Sequence, residues 1–456
     1  MAEPHASAAP VPPLANPAAD RLPPSVPPAA FVPAARSAPP SPPMPSASRN
    51  RPDPPGRPDL PAGTDLRRPS ASGRSSATDR PQGAAGAVRP GLTELRLSAF
   101  AGHRRTALPL GPVTLFAGPS GSGKTTALRA YEALARLAAG APLAEVFPDP
   151  AACVPERARP DAQRRRGFRI GCTADGPEGP VRLDVAVQAE PELRIVGERL
   201  TAGGRALLET ALRDPGRRTV QAAWHTAGSA PVTRAPLPDD RLGTALLPLR
   251  VAGKTDGQRR VLAAAEQAVL ALRSVFACDP RPDRMRAPVR IGPGRLLPGC
   301  DNLADVLWRT RSECGRRYAQ LVAAVRDGCR GPVADVLAEP LGDGTVRPVL
   351  DRGDGIRTDG GRLGDGELRY LALALVLLTG PGVLDVDAPG EVPDALRGLT
   401  VLADGFDRAL DPRQRSGLLR LAARMCALGH IRFVGAVADA SWAVGAAGVT
   451  VVDLDP

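Results

Sequence analysis

Lysine is almost missing from this chain of 456 residues: of 59 basic residues only those at 124 and 254 are lysine, and arginine supplies the rest. Aromatic residues make up 3%, too few for a platform on which single-stranded bases stack. The seven cysteines (153, 172, 278, 300, 314, 329 and 426) are odd in number and scattered, without a C-x-x-C pair. That pattern excludes a disulfide framework and a zinc knuckle, and fits a reducing, cytoplasmic setting. No stretch reaches the roughly 18 uninterrupted apolar residues of a membrane span. The opening Met1-Ala2-Glu3-Pro4-His5 lacks the basic and apolar regions of a secretory signal. Sustained heptads are also missing, so no coiled-coil arm is expected. Too little chain follows the last strand-like run, Val449 to Leu454, for an appended nuclease domain.

Proline, by contrast, is abundant, at 52 residues, and unevenly placed. Residues 1–90 are dominated by Pro, Ala, Ser and Arg, with runs such as Pro23-Pro24 and Pro39-Pro40 and no lasting apolar period. Such a segment buries too little surface to offset chain entropy and is expected to be disordered, partly polyproline II. The remainder is apolar enough for a sizeable core, and the length suggests two to three structural units. A net charge of +11 permits DNA contact, although the arginines are dispersed and the Ala/Arg/Gly/Pro bias is also what a GC-rich genome produces.

One of the two lysines closes a complete phosphate-binding loop. Gly118-Pro119-Ser120-Gly121-Ser122-Gly123-Lys124-Thr125 fits G-x-x-x-x-G-K-[ST]. The apolar run Pro112–Ala117 precedes it as a buried strand would, and Thr126–Leu137 follows as an Ala/Leu-rich helix. Backbone N–H groups from Ser120 to Thr126 would then face phosphate at a helix N-terminus. Lys124 would reach the β- and γ-phosphates and the Thr125 hydroxyl would bind Mg²⁺. The expected ligand is ATP with Mg²⁺, the base itself being unspecified. Gly253-Lys254-Thr255 repeats the end of the motif without a leading strand and reads as an ordinary loop.

Further motifs follow in order. Leu399–Ala403 is an apolar strand ending at Asp404, the Walker B pattern in which a carboxylate helps hold Mg²⁺. Arg408-Ala409-Leu410-Asp411 has the form of a D-loop. Upstream, Leu363-Gly364-Asp365-Gly366-Glu367 has the form of an ABC signature and leads into an apolar helical run, Leu368–Leu378. Together these motifs make residues 91–456 resemble the RecF/SMC-like branch of ABC-type P-loop ATPases, with Leu92–Phe100 similar to that branch's first strand. The resemblance implies an α/β head with a flanking antiparallel sheet and a helical lobe, organised as 91–250, 251–362 and 363–456. It also implies ATP sandwiched in a homodimer, the signature of one copy closing on the phosphate loop of the other.

Departures from that pattern bear on turnover. Gly405 stands where the family places a glutamate that handles the attacking water. Gly364 replaces the signature serine. No histidine ends the strand Ile431–Val437, and His430 lies before it. Asp407 and Asp439 are the carboxylates that could substitute. The segment from 166 to 250 alternates like antiparallel hairpins, whereas 258–335 reads mainly helical, with Asp301 or Asn302 as a helix cap. Gln163, sought as a Q-loop glutamine, sits among Arg164-Arg165-Arg166 and reads as solvated loop. Arg104 and Arg105 read as surface charge. The expectation is an ATP-gated dimerising switch with slow hydrolysis in DNA maintenance or defence. The alternative is a non-hydrolysing scaffold whose Pro-rich tail recruits partners. A P-loop kinase is disfavoured by the second-half motifs.

Overall fold

The computed structural model describes residues 89–225, 232–380, 382–386 and 398–454. The expectation for the Pro-rich segment 1–90 therefore lies, save for its last two positions, outside the described residues. The chain begins with β1 (Gly91–Phe100), β2 (His103–Pro109), β3 (Val113–Ala117) and helix α1 (Lys124–Ala138), then a short α2 (Leu143–Val146). Six strands follow: β4 (Arg166–Asp175), β5 (Val181–Glu190), β6 (Arg194–Ala202), β7 (Arg205–Ala211), β8 (Thr219–His225) and β9 (Val232–Pro238). Next come α3 (Gly243–Leu246), α4 (Asp256–Leu272), β10 (Val275–Cys278), α5 (Pro282–Met285), β11 (Val289–Arg290), α6 (Leu303–Glu313) and α7 (Gly315–Gly328). The last third carries β12 (Asp335–Pro340), β13 (Thr345–Gly353), β14 (Ile356–Asp359), α8 (Asp365–Leu378), β15 (Leu399–Ala403), α9 (Pro412–Ala427), β16 (Ile431–Val437) and β17 (Val449–Asp453).

A five-stranded sheet, ordered β10-β15-β16-β3-β17 with every pairing parallel, is the central layer. Parallel sheets are stable only when covered on both faces, and the near-continuous apolar runs of these strands supply both. On β3, Phe116 joins the core beneath the second sheet, while Val113, Leu115 and Ala117 join the core on the opposite side. The first core lies under the eight-stranded antiparallel sheet, ordered β2-β1-β4-β5-β6-β7-β8-β9, where α1 and α4 fill the gap between the sheets. The second core is built from α6, α7, α8 and α9. Every residue of helix α8 from Leu368 to Leu378 is buried, and apart from Arg369 the run is apolar or aromatic, as a helix enclosed on all sides requires. Each leucine of this run contributes about 1.5–3 kcal/mol of burial.

The hairpins expected between 166 and 250 are present as β4–β9. Within 251–362 the helices α4–α7 are interleaved with β10 and with a small sheet in which β11, β12 and β14 pair with β13. β10 was hidden because four residues between two helices carry too little periodicity. Asn302 does precede α6, but its Oδ1 accepts from the N–H of Leu297 at 3.0 Å and caps no helical N–H. Thr255 of the second Gly-Lys-Thr caps α4 through a 3.2 Å hydrogen bond from Gln258 N–H, a structural use of that segment. Among the described residues, no helix is long and apolar enough to cross a membrane.

Candidate nucleotide-binding site

The loop between β3 and α1 turns on glycine. Gly118, Gly121 and Gly123 have φ of 143°, 90° and 95°, a region that costs other residues strain. Gly123 caps α1 with its backbone in the left-handed conformation and no side chain bonds the first helical N–H groups. They remain directed out of the helix, together with its positive dipole end. Lys124 curls over the loop, its Nζ donating to the carbonyls of Gly118 (2.6 Å) and Pro119 (2.7 Å). The ammonium is thus held against the loop, with Ser122 Oγ 3.4 Å away.

Two strands away, Asp404 follows the fully buried β15. Its Oδ2 accepts a 2.9 Å hydrogen bond from Thr125 Oγ1. β16 lies between the two strands, so the fold brings these groups together across the carboxyl edge of the sheet, where ligands of open α/β sheets bind. A cleft of about 220 Å³ opens beside them, lined by Glu132, Asp279 and Pro298 among others.

The signature-like and D-loop segments pack on each other. Gly364 precedes α8, and Glu367 turns back so that Oε2 accepts the Gly364 N–H at 3.2 Å while Oε1 meets Arg352 at 3.0 Å. Asp365 pairs with Arg286 at 2.5 Å, and Leu363 is buried. A Cβ on Gly366 would stand 2.5 Å from the Ala409 carbonyl oxygen, so glycine permits the contact. Asp411 caps α9, accepting from Gln414 N–H at 2.8 Å, and Gln414 returns a bond to Asp411 N–H. Among the described residues no hydrogen bond or ion pair joins 363–367 to 118–126 in the same chain.

Neither substitute carboxylate is placed as a free base. Asp407 accepts the Ala438 N–H at 3.0 Å. The Ser441 hydroxyl, and then its N–H, hold the Asp439 carboxyl below its usual range, which weakens it as a proton acceptor. His430 sits before β16, its carbonyl accepting from Leu399 N–H. Gln163 is in an exposed turn, as expected.

Three residues at this corner, His103, Arg369 and Asp279, carried no role in the sequence reading, and Arg408 was read only as part of the D-loop segment. His103 is 6% exposed, with Nε2 3.1 Å from the Gly123 carbonyl oxygen and Nδ1 3.2 Å from Thr106 Oγ1. A carbonyl only accepts, so Nε2 carries the proton. Its signal was scarcity, since the chain has four histidines. Arg369, the one charge in the apolar run of α8, is 2% exposed and donates to the carbonyls of Pro280 (2.5 Å) and Gly405 (2.8 Å). Asp279 follows β10, whose Cys278 is paired with Ala403, so Asp279 neighbours Asp404 along the sheet edge. Arg408 lies over Gly405. Nearby, Cys278 and Cys300 are buried with sulfurs 3.8 Å apart, and the hydrogen bond between them followed by burial keeps the Cys300 thiol neutral.

A parallel sheet with a strand inserted between the phosphate-loop strand and the Asp404 strand, a flanking antiparallel sheet and a helical layer leading into α8 make up the α/β fold that the sequence resemblance to ABC-type heads of the SMC/RecF-like branch implies. No protein-family model matches the chain, and no curated protein does. Among solved structures, it is similar to an SMC head bound to the C-winged helix domain of ScpA, at 12% identity and TM-score 0.43 over 76% of this chain and 90% of that one. An SMC head domain from Thermotoga maritima matches at 11% identity and TM-score 0.37, over 76% and 89%. An Smc head with an extended coiled coil, bound to the C-terminal domain of ScpA derived from Pyrococcus furiosus, gives 12% and 0.37, over 77% and 90%. With scores at this level, the fold assignment rests on strand order and the phosphate loop themselves.

Proposed function

We propose that this protein binds ATP with Mg²⁺ on residues 118–126 and acts as an ATP-gated dimerising switch with slow hydrolysis. The 2.9 Å bond from Thr125 to Asp404 carries the reading. It joins a hydroxyl and a carboxylate oxygen, the hard donors Mg²⁺ selects, at the helix N-terminus where the phosphates would lie. Thr125 and Asp404 would hold the ion, which when bound neutralises phosphate charge. Lys124 exchanges the loop carbonyls for β- and γ-phosphate oxygens, and the N–H groups from Ser120 to Thr126 orient the chain of phosphates.

Dimerisation is supported by the placement of the signature-like segment. Leu363 to Glu367 serve no phosphate loop of their own chain, so a role on nucleotide requires a second copy. Slow turnover follows from Gly405, from the capped Asp407 and from the weakened Asp439, because losing a positioned base typically costs about 10²–10⁴-fold in rate. Cytoplasmic residence fits seven free thiols.

One observation favours DNA as a further partner. The outer face of the eight-stranded sheet holds a cleft of about 880 Å³ lined by Arg105, Arg169, Arg213 and Arg234, none of which makes an ion pair among the described residues. Recruitment of a protein through the Pro-rich tail is the competing, scaffold reading.

The test is equilibrium ATP binding and steady-state phosphate release for wild type and Lys124→Ala, with light scattering for mass, with and without duplex DNA. Wild type should bind ATP and gain mass toward a dimer, with Lys124→Ala losing at least tenfold in affinity. A wild type that stays monomeric when saturated removes the gated dimer. Binding that ignores Lys124→Ala removes the phosphate-loop reading altogether.

A further inference from the structure

The corner after Asp404 carries a cation where a carboxylate is expected. Gly405 has φ of 57°, and its carbonyl accepts the Arg408 N–H at 3.0 Å, closing a tight turn. A Cβ built on Gly405 would lie 2.9 Å from Arg408 Nη2 and 3.0 Å from Cζ and Nε. The guanidinium therefore lies flat on the glycine, in the space a side chain at 405 would enter.

The two arginines here differ in freedom. Arg369 is fixed: its side chain is 3% exposed, and it holds Pro280, Gly405 and, at 3.3 Å, Asp279. Arg408 is 60% exposed and, among the described residues, its side chain is tethered only by a 3.5 Å contact with Asp279 Oδ1, an oxygen that Arg369 already serves. Releasing Arg408 leaves no buried charge unpaired, so the cost of moving it is that of a weak surface pair, about 0–1 kcal/mol.

Inner phosphates on this loop would be covered from the α1 side by Lys124 and the loop N–H groups. Asp279, which holds Arg408, lines the same cleft as Thr125 and Asp404, so a guanidinium released from it stands at the rim of that cleft. We propose that Arg408 is a specificity-determining residue that leaves Asp279 and contacts the terminal phosphate of a bound nucleoside triphosphate, so that triphosphate is held more tightly than diphosphate. The inference rests on the phosphate-loop reading given above. Its chemistry follows from arginine: a planar fork of donors matches phosphate oxygens bidentately and has no acceptor with which to take a proton from water. The corner then reads the third phosphate without supplying the missing base.

The experiment is calorimetric titration of the full chain with Mg²⁺ and either ADP or the non-hydrolysable imido analogue of ATP. Wild type, Arg408→Ala, Arg408→Lys and Lys124→Ala are compared, with thermal melts to confirm folding. Arg408→Ala should weaken the triphosphate analogue about 10- to 100-fold, equivalent to about 1.4–2.8 kcal/mol, and leave ADP within about threefold. Arg408→Lys should recover only part, because a point charge replaces the fork. Equal losses for both ligands, or no loss for either, overturn the inference alone. A wild type that binds neither ligand, or a Lys124→Ala that binds both normally, overturns the phosphate-loop reading and the inference with it.

Discussion

Restoring a glutamate after Asp404 should fail to restore catalysis, for reasons visible in the backbone. At φ of 57°, Gly405 occupies the left-handed region, where a residue with a Cβ loses about 1–2 kcal/mol. The new Cβ would also meet the Arg408 guanidinium at 2.9 Å. That group is the end of a flexible, exposed side chain, so it moves aside, and the lost contact with Asp279 adds about 0–1 kcal/mol. The sum for Gly405→Glu is about 1–3 kcal/mol of stability, or roughly 1–4 °C in thermal midpoint for a head of this size. Gly405→Ala should show most of it, since backbone strain is the larger part. The introduced carboxylate would point at Arg408 and be drawn into an ion pair instead of toward water. Steady-state phosphate release should therefore rise less than tenfold, against the roughly 10²–10⁴-fold expected of a positioned base. Removing the competing cation in Gly405→Glu/Arg408→Ala should give the larger gain of the two. A single Gly405→Glu that raises turnover a hundredfold, or that melts with wild type, would refute this reasoning.

Two stability predictions test the packing of the neighbouring segments. Gly366→Ala places a Cβ 2.5 Å from the Ala409 carbonyl oxygen, a backbone atom that cannot swing away, so it should destabilise by about 1–3 kcal/mol as overpacking does. Denaturant unfolding would read the loss, and a midpoint equal to wild type would show that α8 and the following turn slide apart freely. Asp411→Ala removes the cap of α9 and should cost about 1 kcal/mol, with Asp411→Asn or Asp411→Ser retaining most of it. If Asp411→Asn is as damaging as alanine, the residue does more than cap.

The phosphate loop was legible because its parts are contiguous: strand, glycines, lysine and helix follow one another, and each has a local physical requirement. β15 was legible for the same reason, five apolar residues ending in one carboxylate. What the sequence hid are contacts made between distant segments. Asp279 neighbours Asp404 only because β10 pairs in parallel with β15, and β10 is too short to reveal itself by period. Arg369 was in view as a lone charge within an apolar helix. Such a residue is costly to bury unless its donors are met, but its acceptors, the carbonyls of Pro280 and Gly405, belong to two other loops. Gly405 shows the limit most sharply. As a letter it reads as a deleted base, one substitution away from repair. As a backbone conformation under a guanidinium it is part of a rebuilt corner, in which Arg369 fixes the turn, Asp279 tethers Arg408, and charge of the opposite sign stands where the carboxylate would be. A glutamate placed at 405 would meet both the left-handed backbone and the guanidinium, so the single substitution is expected to fall short of a positioned base.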